Sequence, residues 1–322
     1  MATLKQIRQR IVAVKSTRKL TRAMRMIAAV RLRKAQNRAL EARTFNSEIT
    51  RLLSGIIKRN SGFNHALATE REDKKGVTDL IVFSSDRGLC GTFNEGLLSM
   101  VKDHIIRKNN LGEKICCYIF GKRGRDFFKM HNLQFEKDFI HVSEKDAPMM
   151  LNAEIALCRE RFLSGATDET TLAFNKFKGV GSSEPAIKTV IPATPSNLDL
   201  EYCVDYIYEP SRTENLNWLV TQMIRSNIYQ AYFESSAAEI AARMIAMDKA
   251  TRNAEELIEG LTMQFNRARQ SSITKELIDI DPDFYDTYVQ LAYVLQESKE
   301  YKVASEILHQ GYQKAIKRIF SI

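Results

Sequence analysis

The sequence lacks any apolar run near the roughly 20 residues needed to cross a bilayer, so it carries no membrane span of that kind. Its five cysteines, Cys90, Cys116, Cys117, Cys158 and Cys203, are an odd number with no CxxC spacing. That excludes a regular disulfide framework and argues against a zinc site, and it fits a reducing compartment. The five histidines form no HExxH or other paired-ligand spacing, so no metal site and no cofactor is expected. The N-terminus has no apolar core of a secretory signal. It is Arg-rich and acid-poor like a transit peptide, but its apolar spacing is too long and regular for a disposable leader. Acid is the scarcest commodity there: no Asp or Glu precedes Glu41. Helix breakers are missing too, since the first Gly or Pro is Gly55.

What is present is 322 residues, 44% hydrophobic and 27% charged, a globular composition long enough for two or more structural units. The net charge of +9 is unevenly placed. Residues 1–60 hold 16 basic side chains and only Glu41 and Glu48, a local +14, so residues 61–322 carry −5.

Taken in alternating steps of three and four, the basic segment reads Leu4, Ile7, Ile11, Val14, Arg18, Thr21, Arg25, Ala28, Leu32, Ala35, Ala39. This is an a/d seam five heptads long, weak where Arg18 and Arg25 interrupt it. Met24, Ile27 and Val30 form a competing stripe on the neighbouring face. A second seam runs from Ser226, Gln230, Phe233 and Ala237 through Ile240, Met244, Met247, Thr251, Ala254, Ile258, Leu261, Phe265 and Ala268 to Ser272. Two long seams at opposite ends of one chain predict an antiparallel coiled coil. The alternative is two amphipathic helices lying separately on a globular core.

A helix so rich in one charge repels itself unless an acidic surface surrounds it. Nucleic acid, anionic lipid and acidic protein loops are the candidates. Nucleic acid is the common reason for a basic arm, yet no aromatic for stacking precedes Phe45. A basic-zipper reading fails because the basic residues and the heptad seam share one segment.

Between the seams the period changes. Thr78–Ser84 and Lys114–Phe120 read as buried strands, with further strands expected at Gln134–Ile140, Thr171–Phe177 and Lys188–Ile191. Helices are expected near 93–109, 122–131 and 147–163, so the middle reads as a Rossmann-like α/β layer with a largely parallel sheet. SSDRGLCG at 84–91 invites a phosphate-loop reading, but it is neither GxxxxGK[ST] nor GxGxxG. It is expected to be a structural turn, and Cys90 within it to be no nucleophile.

Four segments then carry a resemblance: MATLKQIRQRIVAVKSTRKLTRAMRMIAAVRLRKAQ at the start, SSDRGLCGTFN at 84–94, DYIYEP at 205–210, and ARMIAMDKATRNAEELIEGLTMQFNRARQSSITKEL at 242–277. In this order they resemble the ATP synthase gamma subunit family. The resemblance implies a non-catalytic subunit with no catalytic residue: the central rotor shaft of an F-type ATP synthase, whose rotation couples proton flow through the membrane c ring to ATP synthesis or hydrolysis. It implies an antiparallel coiled coil inside the alpha–beta hexamer and an α/β foot near the epsilon subunit and the c ring. It places Met24, Arg269, Gln270 and Thr274 against acidic loops of beta subunits, and Tyr208 and Glu209 where the foot meets the c ring. It further implies one copy per complex, peripheral attachment on the cytoplasmic face of a bacterial inner membrane, and no nucleic acid.

The expected division is an N-terminal helix (1–60), a linker (61–76), an α/β foot (77–205), a C-terminal helix (211–280) and an extension (281–322). Asp281-Pro282 ends the second helix; the resemblance implies family members that finish about a dozen residues after ITKEL, whereas here 40 residues follow the break. The extension resembles a single tetratricopeptide repeat through Tyr288, Leu291, Ala292, Leu295, Tyr301, Ala304, Leu308 and Gly311; a frayed helical hairpin is the alternative. It is expected to be an extruded cap or docking module that leaves rotation intact. The competing function is a helical scaffold with a nucleic-acid-binding arm and a protein-binding tail.

Overall fold

The computed structural model describes residues 3–58, 65–194, 207–209, 211–280, 285–297 and 301–319. Cys203, Asp281-Pro282, part of the expected linker and half of the DYIYEP segment (205, 206 and 210) lie outside them. The chain is mixed α/β and divides into two compact units, Met1–Ala23 with Asp248–Ile322, and Met24–Met247.

Two long helices frame the chain, α1 (Leu4–Lys58) and, near the other end, α5 (Arg212–Ile280). Within the first unit they pair antiparallel. The Thr251 hydroxyl donates to that of Thr21 at 2.8 Å, and one helical turn away Arg18 meets Glu255 at 3.9 Å. The second unit shows the same sense: Asn46 donates to Asn227 and Gln230, and Ala35 and Ala39 pack on Ala237. The predicted seam is the buried one. Ile7, Thr21, Ala28, Leu32, Ala35 and Ala39 are buried, while Ile27 and Val30 of the competing stripe are 56% and 78% exposed. Small residues and a Thr–Thr hydrogen bond occupy places where Leu would fill a thicker seam, which brings the helices close.

The sheet has the order β3-β2-β1-β4-β5. Strands β1 (Val77–Phe83), β2 (Lys114–Phe120), β3 (Lys137–Phe139) and β4 (Glu169–Gly179) run parallel, and β5 (Ser182–Ile191) returns antiparallel along β4. Alternation on central β1 explains its unbroken hydrophobic run. Leu80 and Val82 point to a core with Leu97, Leu98 and Val101 of α2 (Phe93–Asn110) and Phe128 of α3 (Lys122–Met130). Ile81 and Phe83 point the other way, toward Leu151 and Phe162 of α4 (Ala147–Leu163). That second core also holds Ile49 and Leu53 of α1 and Val220, Ile224 and Ile228 of α5. The α/β layer and the paired helices of this unit therefore share one core.

Three strand expectations need correction. The third strand is only Lys137–Phe139, because Asn132 takes a positive φ and residues 131–133 close a turn onto α3. The fourth and fifth extend well beyond 171–177 and 188–191 and form a hairpin. Its outer half carries exposed Lys178 and Glu184, which dilute the hydrophobic signal.

Gly121 closes β2 with φ +104°, and a Cβ there would lie 2.3 Å from the Ser84 carbonyl oxygen. Neither the dihedral nor the contact admits a side chain. Gly121→Ala is expected to cost at least about 3 kcal/mol, beyond the 1–3 kcal/mol of strained dihedrals alone, read as a lower urea midpoint; a loss under about 1 kcal/mol would refute this account.

After α5 the chain forms a hairpin of α6 (Tyr285–Glu297) and α7 (Tyr301–Ile319). Tyr288, Leu291, Ala292, Leu295 and Ala304 are buried, and Gly311 admits Tyr288 so closely that a Cβ would lie 2.6 Å from it. Tyr301 and Leu308, read as repeat positions, are exposed.

Candidate functional site

The basic helix keeps its charge outward. Lys5, Arg8, Arg10, Lys15, Lys19 and Arg22 are exposed and reach no carboxylate among the described residues. Farther along α1, Lys34 and Arg38 share Glu144, at 3.6 and 2.8 Å. Arg38 is the main reason the Glu144 carboxyl is held below the usual range.

A crevice of about 1070 Å³ opens beside α1, at the C-terminal ends of β1 and β2. Met24, Ile27 and Arg31 line one wall, Asp86, Arg87, Gly88 and Arg123 another, and Glu239 and Arg243 of α5 a third. The SSDRGLCG loop builds the second wall as the structural turn expected. Ser85 donates to the Arg87 carbonyl, and Asn94 donates to Ser85 and to Cys90 Sγ. Asp86 accepts the backbone N–H groups of Lys122 and His141, and Ser84 Oγ accepts that of Gly124, so the start of α3 is already satisfied. Toward α5 the loop offers carbonyls: Arg243 donates to those of Arg87 and Gly88 at 3.2 and 3.4 Å. Carbonyl oxygens would repel a phosphate. Cys90 is buried against Phe93 and Ala238, out of reach of a substrate. Burial pushes the Glu239 carboxyl up despite Arg243 at 2.6 Å.

The other expected contact residues lie apart. Arg269 and Gln270 are exposed on α5 of the first unit, whereas Thr274 is buried and donates its hydroxyl to the Gln270 carbonyl. Tyr208 packs on the shared core of the second unit beneath the Arg212 guanidinium, 4.8 Å from the ring centre. Glu209 is exposed and its carbonyl accepts from Asn215. Arg243 and Glu239, which join Met24 around the crevice, were not singled out by sequence reading. Both sit at or near ARMIAMD, a segment read for its seam and for its family resemblance but not for these two side chains.

The ATP synthase family profile matches residues 3–281. An ATP synthase gamma chain from Anaeromyxobacter sp. (strain Fw109-5) is 37% identical over 284 residues, covering 87% of this chain and 97% of the relative. The chain belongs to the ATP synthase gamma-chain family. A second relative, from Chloroherpeton thalassium, is 37% identical over 296 residues with 87% and 96% covered. Among solved structures, a chain of the Euglena gracilis mitochondrial ATP synthase (OSCP/F1/c-ring, rotational state 3) aligns with TM-score 0.57 at 16% identity, covering 86% of this chain and 92% of that one. A chain from the same synthase's rotor in rotational state 1 gives 0.54 at 17%, with 85% and 98% covered. These two establish the fold. Family membership makes the chain a subunit of ATP synthase with the central-shaft role; neither of these two relatives favours the nucleic-acid scaffold. No helix among the described residues is long and apolar enough to cross a membrane. The family profile ends at residue 281, so α6 and α7 lie beyond it.

Proposed function

We propose that the chain turns inside an alpha–beta hexamer, with its α/β foot on the epsilon subunit and the c ring, and so couples proton flow to ATP synthesis or hydrolysis without breaking a bond itself. The observation that carries this reading is the outward charge of the N-terminal helix, much of which reaches no carboxylate among the described residues. Exposed Lys5, Arg8, Arg10 and Lys15 need acidic surroundings, which beta-subunit loops would supply, and solvated ion pairs of this kind are weak enough to exchange as the shaft turns. An asymmetric shaft then shifts each beta subunit between states through differential contact free energy. Arg269, Gln270 and Thr274 would touch beta near the shaft's end and Met24 at the crevice, while Tyr208 and Glu209 would bear on the c ring. The division 1–60, 61–76, 77–205, 211–280 and 281–322 goes with this reading. So do one copy per complex and peripheral attachment at the cytoplasmic face of a bacterial inner membrane.

The test is the Arg269→Ala/Gln270→Ala/Thr274→Ala triple variant in the assembled complex. Losing about 1.4 kcal/mol of contact specific to one rotational state slows turnover about tenfold. ATP hydrolysis and ATP-driven proton pumping should fall together, with subunit stoichiometry unchanged. Undiminished hydrolysis in an intact complex would remove these residues from the contact. Salt-sensitive binding of the chain to DNA, without alpha and beta subunits, would instead favour the scaffold.

A further inference from the structure

The hairpin beyond the family match shows a surface that its small core does not explain. Five of the chain's eleven tyrosines fall in residues 281–322, and only Tyr288 among them is buried. On α6, Tyr285, Val289 and Tyr293 recur every fourth residue and form one exposed stripe. On α7, Tyr301, Leu308 and Tyr312 lie within about 40° of one another at 100° per residue, a second exposed stripe. Tyr293 and Tyr312 are 63% and 57% exposed. Tyrosine is the residue that interfaces concentrate, because its ring buries area while its hydroxyl stays wet.

The two helices differ in charge. Asp286 and Glu297 are the only charged residues of α6, whereas α7 has Lys302, Lys314, Lys317 and Arg318 against Glu306. By sequence the two helices carry opposite net charge, −2 on α6 and +3 on α7. The hairpin cannot use this complementarity for its outer stripes, because its own α6–α7 contact is the buried one through Leu291, Ala292, Leu295 and Ala304. Among the described residues Glu297 meets only Arg267, at 3.9 Å with both partners about half exposed, a pair that exchanges readily.

We propose that this hairpin is a self-association module whose occupant is a second copy of itself. The α7 of one chain docks antiparallel on the α6 of the other, and the reciprocal contact closes a two-fold four-helix bundle. Size favours closure. A stable interface uses about 20–30 residues a side, and helices of 13 and 19 residues reach that only if both engage. Two-fold exchange covers both stripes in both copies and leaves no face open for further addition. The proposal does not depend on the rotor reading. In a one-copy-per-complex subunit it would tie two complexes together.

Sedimentation of the full chain at tens of micromolar should show a dimer, and the chain truncated after Ile280 a monomer. Tyr293→Glu and Tyr312→Glu should each weaken association at least about tenfold. Glu297→Lys chains alone and Lys302→Glu chains alone should stay monomeric with unchanged helix content, while an equimolar mixture of the two dimerises. Only contacts between chains predict that rescue. A full chain that stays monomeric overturns the proposal, as does a truncated chain that dimerises equally or a mixture that fails to associate. Binding of the hairpin to an alpha–beta hexamer through the same tyrosines would overturn it in favour of a cap on the chain's own complex.

Discussion

Arg161→Ala should destabilise the α/β unit by about 3–5 kcal/mol at neutral pH, the cost of leaving one member of a buried ion pair alone. Asp79 sits on central strand β1, fully buried, and its Oδ2 accepts from Arg161 Nε at 3.1 Å. Its Oδ1 has no partner among the described residues, so the guanidinium offsets only part of the burial. Desolvation holds the Asp79 carboxyl above its ordinary value even with Arg161 present, whose hydrogen bond and charge pull it down. A carboxyl raised on folding binds more protons folded than unfolded. Its contribution is therefore largest below the unfolded value near 3.8 and falls as pH rises through the folded value. Removing Arg161 lifts that folded value further and extends the falling window upward. The deficit relative to the parent chain should be larger at pH 8 than at pH 5 in urea unfolding. Replacing both partners, Asp79→Leu with Arg161→Met, should recover most of the loss, since a buried pair and a packed apolar pair are often nearly equal in stability. Equal deficits at both pH values would mean that Arg161 acts by packing alone.

Nothing in the sequence marks that pair, and the reason is physical. Asp79 and Arg161 are 82 positions apart and meet only because β1 and α4 pack on the same face of the sheet. Periodicity reports the face a residue points to and not which residue it meets there. The coiled coil was legible for the converse reason. Its contacts repeat every seven residues, so Ile7, Ala28, Leu32, Ala35 and Ala39 announce the seam together, and Arg18 and Arg25 could interrupt it without hiding it. The buried Thr21–Thr251 bond shows how the weak stretch is held: a hydroxyl pair satisfies itself where no large apolar side chain is available. The hairpin of β4 and β5 was underestimated because its outer half faces solvent, where strand and loop have similar compositions. The crevice was half legible. Met24 stood out within its segment, whereas Arg87, Arg123 and Arg243 converge on it from three separate elements.

Glu234→Ala is expected to remove about 3 kcal/mol and to weaken coupling more than hydrolysis. Glu234 is fully buried on α5 and joins three elements. Its Oε1 accepts from Arg43 of α1 at 3.1 Å and from Gln230 at 2.8 Å, and its Oε2 accepts the Phe177 backbone N–H of β4 at 3.2 Å. Arg43 also donates to the Phe177 carbonyl at 2.8 Å. The substitution leaves a backbone N–H unpaired and strips a partly buried guanidinium of its carboxylate, each a cost of about 1–3 kcal/mol. Detachment is not the expected failure. Leu53, Ile224 and Ile228, all fully buried in the shared core, would each cost about 2–5 kcal/mol to truncate, so the apolar joint survives. What the carboxylate adds is direction, because hydrogen bonds fix an orientation that apolar contact leaves free to slide. In a rotor, the joint between the paired helices and the foot carries the torque. A looser joint should let beta subunits turn over ATP while less of each rotation reaches the c ring. The measurement is the ratio of protons pumped to ATP hydrolysed in reconstituted vesicles, alongside the thermal midpoint of the isolated chain. Glu234→Gln keeps the acceptor toward Phe177 and should fall between the two. A lowered midpoint with an unchanged pumping ratio would show that Glu234 stabilises the joint without transmitting torque through it.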